Sequence, residues 1–162
     1  MNVTIRPMRQ GDKPSVVSIL HATPEFAQAD IEIAEDLIDI YLERSVESGY
    51  HILVAEDGGE ISGYICYGPA PLTEGTWDIY WVAVRQVKQK RGVGGALVAA
   101  AEDNIRKANG RLIVIETSSL PSYEKTRRFY TRRGYNGACH VADFYAEGDD
   151  KVIFQKRLRE PL

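Results

Sequence analysis

The chain is poor in the residues that build most disulfide frameworks and metal centres. It has two cysteines, Cys66 and Cys139, and three histidines, His21, His51 and His140, with no ligand spacing among them. Neither a disulfide framework nor a metal site is expected. The cysteines read as small buried residues of a reducing compartment. Positive charge is not in excess either: 20 Lys and Arg against 23 Asp and Glu leave a net charge of −3. That balance argues against bulk binding to nucleic acid or to an acidic membrane. No apolar run approaches the ~18 residues of a membrane span. The start, Met1-Asn2-Val3-Thr4-Ile5-Arg6, lacks a signal-peptide pattern. These absences point to a cytoplasmic protein with no nucleic-acid or membrane partner. Repeats, low-complexity tracts and linkers are missing too, so the 162 residues are expected to form a single domain.

What is present is a regular succession of periodic segments. Val3 and Ile5 alternate with polar residues as a short strand that ends at Pro7. Asp12 reads as the N-cap of a helix bearing Val16, Val17, Ile19 and Leu20. A second helix is expected over 30–47, stopped by Gly49. Strands over 51–56 and 61–67 flank Asp57-Gly58-Gly59, a hairpin signal. A loop over 68–75 leads into a long strand, 76–85, followed by a glycine-rich turn and a helix that ends at Asn109-Gly110. The next strand, 111–117, is almost continuously apolar and is expected to be buried on both faces. A helix over 122–133 stops at Gly134, and strands over 135–145 and 151–158 close the chain as a hairpin. The order is β-α-α-β-β-β-α-β-α-β-β. Directly joined strands imply antiparallel neighbours, and strands joined through a helix imply parallel ones. The expected fold is α/β (α+β), one mixed sheet of seven strands with about four helices packed on it. The closing hairpin offers a surface for a homodimer.

The turn Gln89-Lys90-Arg91-Gly92-Val93-Gly94-Gly95-Ala96 stands where a strand becomes a helix. There a chain can aim several free backbone N–H groups at one anion, and glycines let the anion approach. Arg85, Lys88, Lys90 and Arg91 surround the turn. A second basic group, Lys125, Arg127, Arg128, Arg132 and Arg133, reads first as a solvated face. The turn therefore reads as a pyrophosphate cradle. A dinucleotide fingerprint fails at its third glycine, which is Leu97, and would stand in a first strand unit rather than after a hairpin. A triphosphate P-loop fails because no Gly-Lys-Ser/Thr ending follows.

Gln89, Gly92 and Gly94 fill the pattern Gln/Arg-x-x-Gly-x-Gly/Ala after a strand ending in Val82-Ala83-Val84. Phe129-Tyr130-Thr131-Arg132-Arg133-Gly134-Tyr135 fills a Phe-Tyr-x-x-x-Gly-Phe/Tyr pattern on the following helix. With these motifs and its element order, essentially the whole chain resembles the GNAT superfamily of N-acetyltransferases. Its second half resembles the ribosomal-protein alanine acetyltransferases. The resemblance implies a mostly antiparallel sheet, acetyl-CoA as cofactor, and acetyl transfer by direct attack of a primary amine on a small molecule or peptide. It implies a pantetheine arm beside the backbone of Val82, Ala83 and Val84. It implies a pyrophosphate held by the segment Gln89, Lys90, Arg91, Gly92, Val93, Gly94, Gly95 and Ala96. Tyr130 is implied as the general acid to the departing thiolate. Where the family often places an asparagine on the cofactor arm, this chain has Tyr123, with Ser118, Ser119 and Ser122 as other polar groups nearby.

Two carboxylates are candidates for accepting the amine proton, directly or through water. Asp78 lies four residues before Val82 and is expected to share its face. Glu116 ends the next strand, where the ribosomal-protein enzymes carry a glutamate. Tyr80, two residues from Asp78, is expected to line the acceptor pocket. The acceptor itself is not encoded in any pattern of 21–31 or 137–148. The alternative reading is a non-catalytic acyl-CoA-binding regulatory module.

Overall fold

The computed structural model describes residues 2–89 and 91–159. Its strands are β1 Val3–Pro7, β2 His51–Asp57, β3 Glu60–Pro69, β4 Thr76–Val84, β5 Leu112–Ser118, β6 Asn136–Ala146 and β7 Asp149–Arg157. They form one sheet in the order β1-β2-β3-β4-β5-β7-β6. All neighbours are antiparallel except β4 and β5. The exception falls where a helix, α3 Val93–Lys107, carries the chain from one strand to the next. Two helices, α1 Lys13–His21 and α2 Gln28–Arg44, precede β2, and α4 Glu124–Arg132 precedes β6.

Strand periodicity divides the apolar residues between two cores. Along β2, Leu53 and Ala55 face one way while Ile52 and Val54 face the other. The first core joins Leu53, Ile65, Ile79, Ile113 and Ile115 to Leu97, Ala101 and Ile105 of α3 and Tyr130 of α4. The second joins Ile52, Val54, Tyr64 and Ala83 to Val16, Ile19 and Leu20 of α1 and Ile31 and Ile38 of α2. The doubly buried strand is β3 rather than β5. β3 is buried from Ile61 to Gly68, whereas β5 exposes Glu116. The reason is coverage: α1 and α2 pack over β2, β3 and β4, which leaves one face of β5 open.

Other expectations also change. Asp12 stands at the N-cap position of α1 as expected, but its backbone is already helical and its side chain makes no capping bond to that helix. Its carboxylate instead accepts the Arg9 N–H at 2.8 Å and a two-pronged bond from Arg6 at 2.8 and 2.9 Å. That pair ties β1 to the start of α1 and holds the Asp12 carboxyl below its usual range. The second helix gives way at Ser45 to a 3-10 turn, Ser45–Ser48. Cys66 is buried as expected, but Cys139 is exposed because the whole of the edge strand β6 is exposed.

Candidate active site

The site starts from a strand that loses its neighbour. β4 and β5 pair only from Thr76↔Leu112 to Ile79↔Ile115. Past that point β4 runs on to Val84 with β3 on one side alone. The Arg85 N–H donates to Ser62 O at 2.8 Å, on the β3 side. Strand alternation then turns the Ala83 backbone toward β3 and the Val82 and Val84 backbones toward the opening. The expected trio therefore splits. Val82 and Val84 present hydrogen-bonding groups to the gap, and Ala83 belongs to the β3 ladder and the second core. Gln89 Nε2–H donates to Val84 O at 3.3 Å, closing the lower end of that edge.

The chain then passes through a 3-10 turn, Gln86–Lys88, to Gly92, whose φ of +80° is left-handed. This conformation strains any residue with a Cβ. It aims α3 so that the helix starts at the gap. The first bond of the helical ladder shown is Ala96 N–H to Gly92 O at 2.9 Å. The N–H groups of Val93, Gly94 and Gly95 lie ahead of it and are unsatisfied by the helix. Open space surrounds Gly92, with nothing within 4 Å of the position of a Cβ. Among the described residues these donors have no partner, and with the positive end of a helix behind them they offer the chemistry an anion requires. Of the flanking cations, Lys88 is engaged with Asp57 at 2.8 Å, Arg91 is exposed, and Lys90 lies outside the described residues.

α4 seats against this first turn. A Cβ on Gly94 would stand 3.1 Å from the Phe129 ring, so glycine there permits the close approach. Tyr130 follows in the first core, packed edge-on to Phe129 and Tyr135 and tilted against Phe154, with centroids 5.2, 5.7 and 6.3 Å apart. Phe154 is the register partner of Ile115, the last β5 residue paired with β4. Tyr130 thus stands near the point where the two strands part. Burial pushes its phenol well up, and the Arg133 charge opposes this only partly. At neutral pH it keeps its proton.

The carboxylates lie across the sheet from Tyr130. β4 contains a bulge: Cys66 pairs with Trp81 but Tyr67 with Ile79, so Tyr80 is an extra residue. The bulge reverses the alternation. Val82 and Val84 share the face of Trp77 and Ile79, and Asp78 falls on the face of Trp81 and Ala83. Asp78 therefore does not share the face of Val82 as its spacing implied. Glu116, offset from Ile115, points to the same side as Asp78. Burial raises the Asp78 pKa, the Glu116 charge adds to the rise, and hydrogen bonding with Tyr80 opposes it. The Tyr80 phenol is pushed up to about 12 by burial and by the Asp78 charge, and its ring packs edge-on against Tyr50 at 5.7 Å.

Several contacts here had no signal in the sequence. Lys151 Nζ lies 3.0 Å from Glu116 Oε2 and 3.6 Å from the Phe144 ring centre, so Glu116 already holds a cation. The Tyr123 hydroxyl donates to Glu25 O at 2.8 Å. It anchors the α1–α2 loop, so its O–H is committed there while its oxygen keeps acceptor capacity. The Ser118 hydroxyl is likewise engaged, with the Asp149 carboxylate. His51 is stacked on Tyr67 at 5.2 Å, with its pKa lowered by burial. Among the described residues no three His, Cys, Asp or Glu side chains gather as a metal site, and no helix is long and apolar enough to cross a membrane.

Known proteins share this fold. The chain is similar to a crystal structure described as an acetyltransferase of the GNAT family from Desulfovibrio desulfuricans. The two have 37% identity and a TM-score of 0.94, with 97% of this chain and 99% of that one covered. It is similar to an uncharacterized N-acetyltransferase of Methanocaldococcus jannaschii, 29% identical over 107 residues; the match spans 64% of this chain and 64% of that relative's length. The PaiA N-acetyltransferase of Thermoplasma acidophilum, solved in complex with coenzyme A, shares the fold at 15% identity and a TM-score of 0.76, covering 97% and 99% of the two chains. The family model for the acetyltransferase (GNAT) family matches residues 14–135, from the start of α1 to just past the end of α4. That span includes the parted strands, the cradle and the Phe129-Tyr130 pair, and on it the chain belongs to the GNAT family of acetyltransferases.

Proposed function

We propose that the protein transfers acetyl from acetyl-CoA to a primary amine, on a small molecule or peptide, by direct attack. The observation that carries this reading is the parting of β4 from β5 at Ile79 and Ile115, with Tyr130 on one face and Asp78 on the other. When bound, acetyl-CoA supplies an activated acyl thioester. The chain's residues do the rest. Free N–H groups of Val93, Gly94 and Gly95 bind the pyrophosphate at the α3 N-terminus. Open backbone groups of Val82 and the N–H of Val84 match the amides of an extended pantetheine arm, as a strand would. Tyr130, held protonated by burial, is the donor to the sulfur side.

Asp78 is the group that accepts the amine proton, directly or through water. Its raised pKa makes it a stronger base than an ordinary aspartate. Glu116 is paired with Lys151, which lowers its fitness for the same task and suits it to orienting the amine. The two proton-handling groups thus reach the gap from opposite sides of the sheet.

The test is release of free thiol from acetyl-CoA in the presence of a pooled panel of primary amines and N-terminal peptides, run beside Gly92→Glu. Release that requires both an amine and Gly92 is the expected result. CoA binding with no release for any amine would replace the transferase with a regulatory acyl-CoA-binding module. No CoA binding would remove both.

A further inference from the structure

Arg133 follows α4, and its guanidinium reaches across to the first turn of α3. Its Cζ lies over the Phe129 ring, 3.8 Å from the ring centre. It fills the space where Gly95 has no side chain: a Cβ there would stand 2.2 Å from Nη2 and 3.1 Å from Cζ. Glycine weakens a helix relative to alanine, and at a negative φ no backbone need explains Gly95. The room it gives Arg133 does.

The position is not explained by charge pairing in the protein. One donor, Nη1–H, goes to Phe129 O at 3.3 Å, which suits the negative end of α4. The carboxylate seven residues along the same face of α3, Glu102, is already bound by Lys156 at 2.9 and 3.0 Å and by Tyr135 at 2.9 Å. Among the described residues Arg133 makes no ion pair within 4 Å. Among the described residues only one of its donors is hydrogen-bonded, and the guanidinium lies beside the positive end of α3, where a cation is disfavoured unless an anion sits there too.

Resting on the proposed function, we infer that Arg133 is a ligand of the cofactor's pyrophosphate, preset by Phe129 and admitted by Gly95. The backbone N–H cradle supplies donors from the helix end. Arg133 adds a full charge from the side. Fixing that charge on an aromatic face reduces the side-chain freedom lost on binding.

The experiment is calorimetric titration of the full chain with CoA and with dephospho-CoA, which keeps the pyrophosphate but lacks the 3′-phosphate. Arg133→Gln is expected to weaken both ligands by about tenfold, the scale of one charge-assisted contact. Gly95→Ala, which keeps every charge and favours the helix, is expected to weaken both by about threefold by displacing the guanidinium. In an Arg133→Gln background Gly95→Ala is expected to cost nothing further, because the two act through one group. Thermal melts of each variant identify any loss due to misfolding, and the additivity test holds even if Arg133→Gln lowers stability. Weakening of CoA alone would overturn the inference in favour of a 3′-phosphate contact. Unchanged affinities, or additive losses, would overturn it outright. Failure of the unmodified protein to bind either ligand would overturn the proposed function itself, and this inference with it.

Discussion

The two faces of the sheet are built on different terms. On the α3/α4 face the candidate groups are backbone N–H groups, glycines and one buried tyrosine, all fixed by close packing of helices on strands. On the α1/α2 face they are carboxylates, a tyrosine and a lysine from β4, β5 and β7. The contrast follows from the partners each face would serve. A cofactor with invariant phosphates and amides can be met by invariant backbone geometry. An amine acceptor is read by side chains, which change without disturbing the fold.

Four substitutions would break or sharpen that contrast. The largest effect is expected from Gly92→Glu. A side chain at φ +80° is strained by about 1–2 kcal/mol, and a carboxylate at the cradle opposes the pyrophosphate. CoA affinity by calorimetry should fall at least about 100-fold, the scale of an uncompensated charge in a binding site. Tyr130→Phe should come next, lowering kcat about 100-fold while CoA affinity stays within about twofold, since the phenol acts on the departing group and not on the bound ground state. Steady-state kinetics and titration together separate the two.

Asp78→Asn tests the other face, with an expected loss of about 10- to 100-fold in kcat/KM and normal CoA binding. The pH dependence has a definite sign. Asp78 must be ionised to accept a proton, so activity falls as pH drops through its raised pKa, and the variant's profile should lose that limb. Stability runs the other way. A carboxyl whose folded pKa lies above its unfolded value contributes stability below the unfolded pKa and loses it as pH rises through the folded one. Asp78→Asn should therefore raise the Tm at pH 7 relative to the unmodified protein, and the gain should vanish in acid. The smallest effect is expected from Lys151→Gln, which releases Glu116. Acceptor KM should change by no more than about threefold, as for other partly exposed ion pairs, with CoA affinity untouched.

Much of the α3/α4 face was legible in the sequence because its determinants are local. The strand, the three glycines and the helix adjoin in one stretch, and the Phe129-Tyr130 pair sits inside a helix ended by Gly134. The element order also survived, since hydrophobic period and turn residues are local signals. The α1/α2 face was less legible for physical reasons. A single extra residue at Tyr80 reverses every side chain beyond it, and neither Tyr80 nor its neighbours carry a glycine or proline that would announce a bulge. The contacts Lys151–Glu116 and Tyr123–Glu25 join residues 35 and 98 apart in the chain, and only the folded register brings them together. Cys139 is exposed because a strand's burial depends on whether it lies at the sheet's edge, and sequence alone does not place β6 there.

The most direct test of the central claim, that the gap between β4 and β5 receives the cofactor, is an amide-resolved NMR titration with CoA. The amides of Val82, Val84, Val93, Gly94 and Gly95 are expected to show the largest shifts, with Ala83, turned to β3, moving far less. Binding that leaves the Val82, Val84 and α3 first-turn amides unmoved would contradict the account.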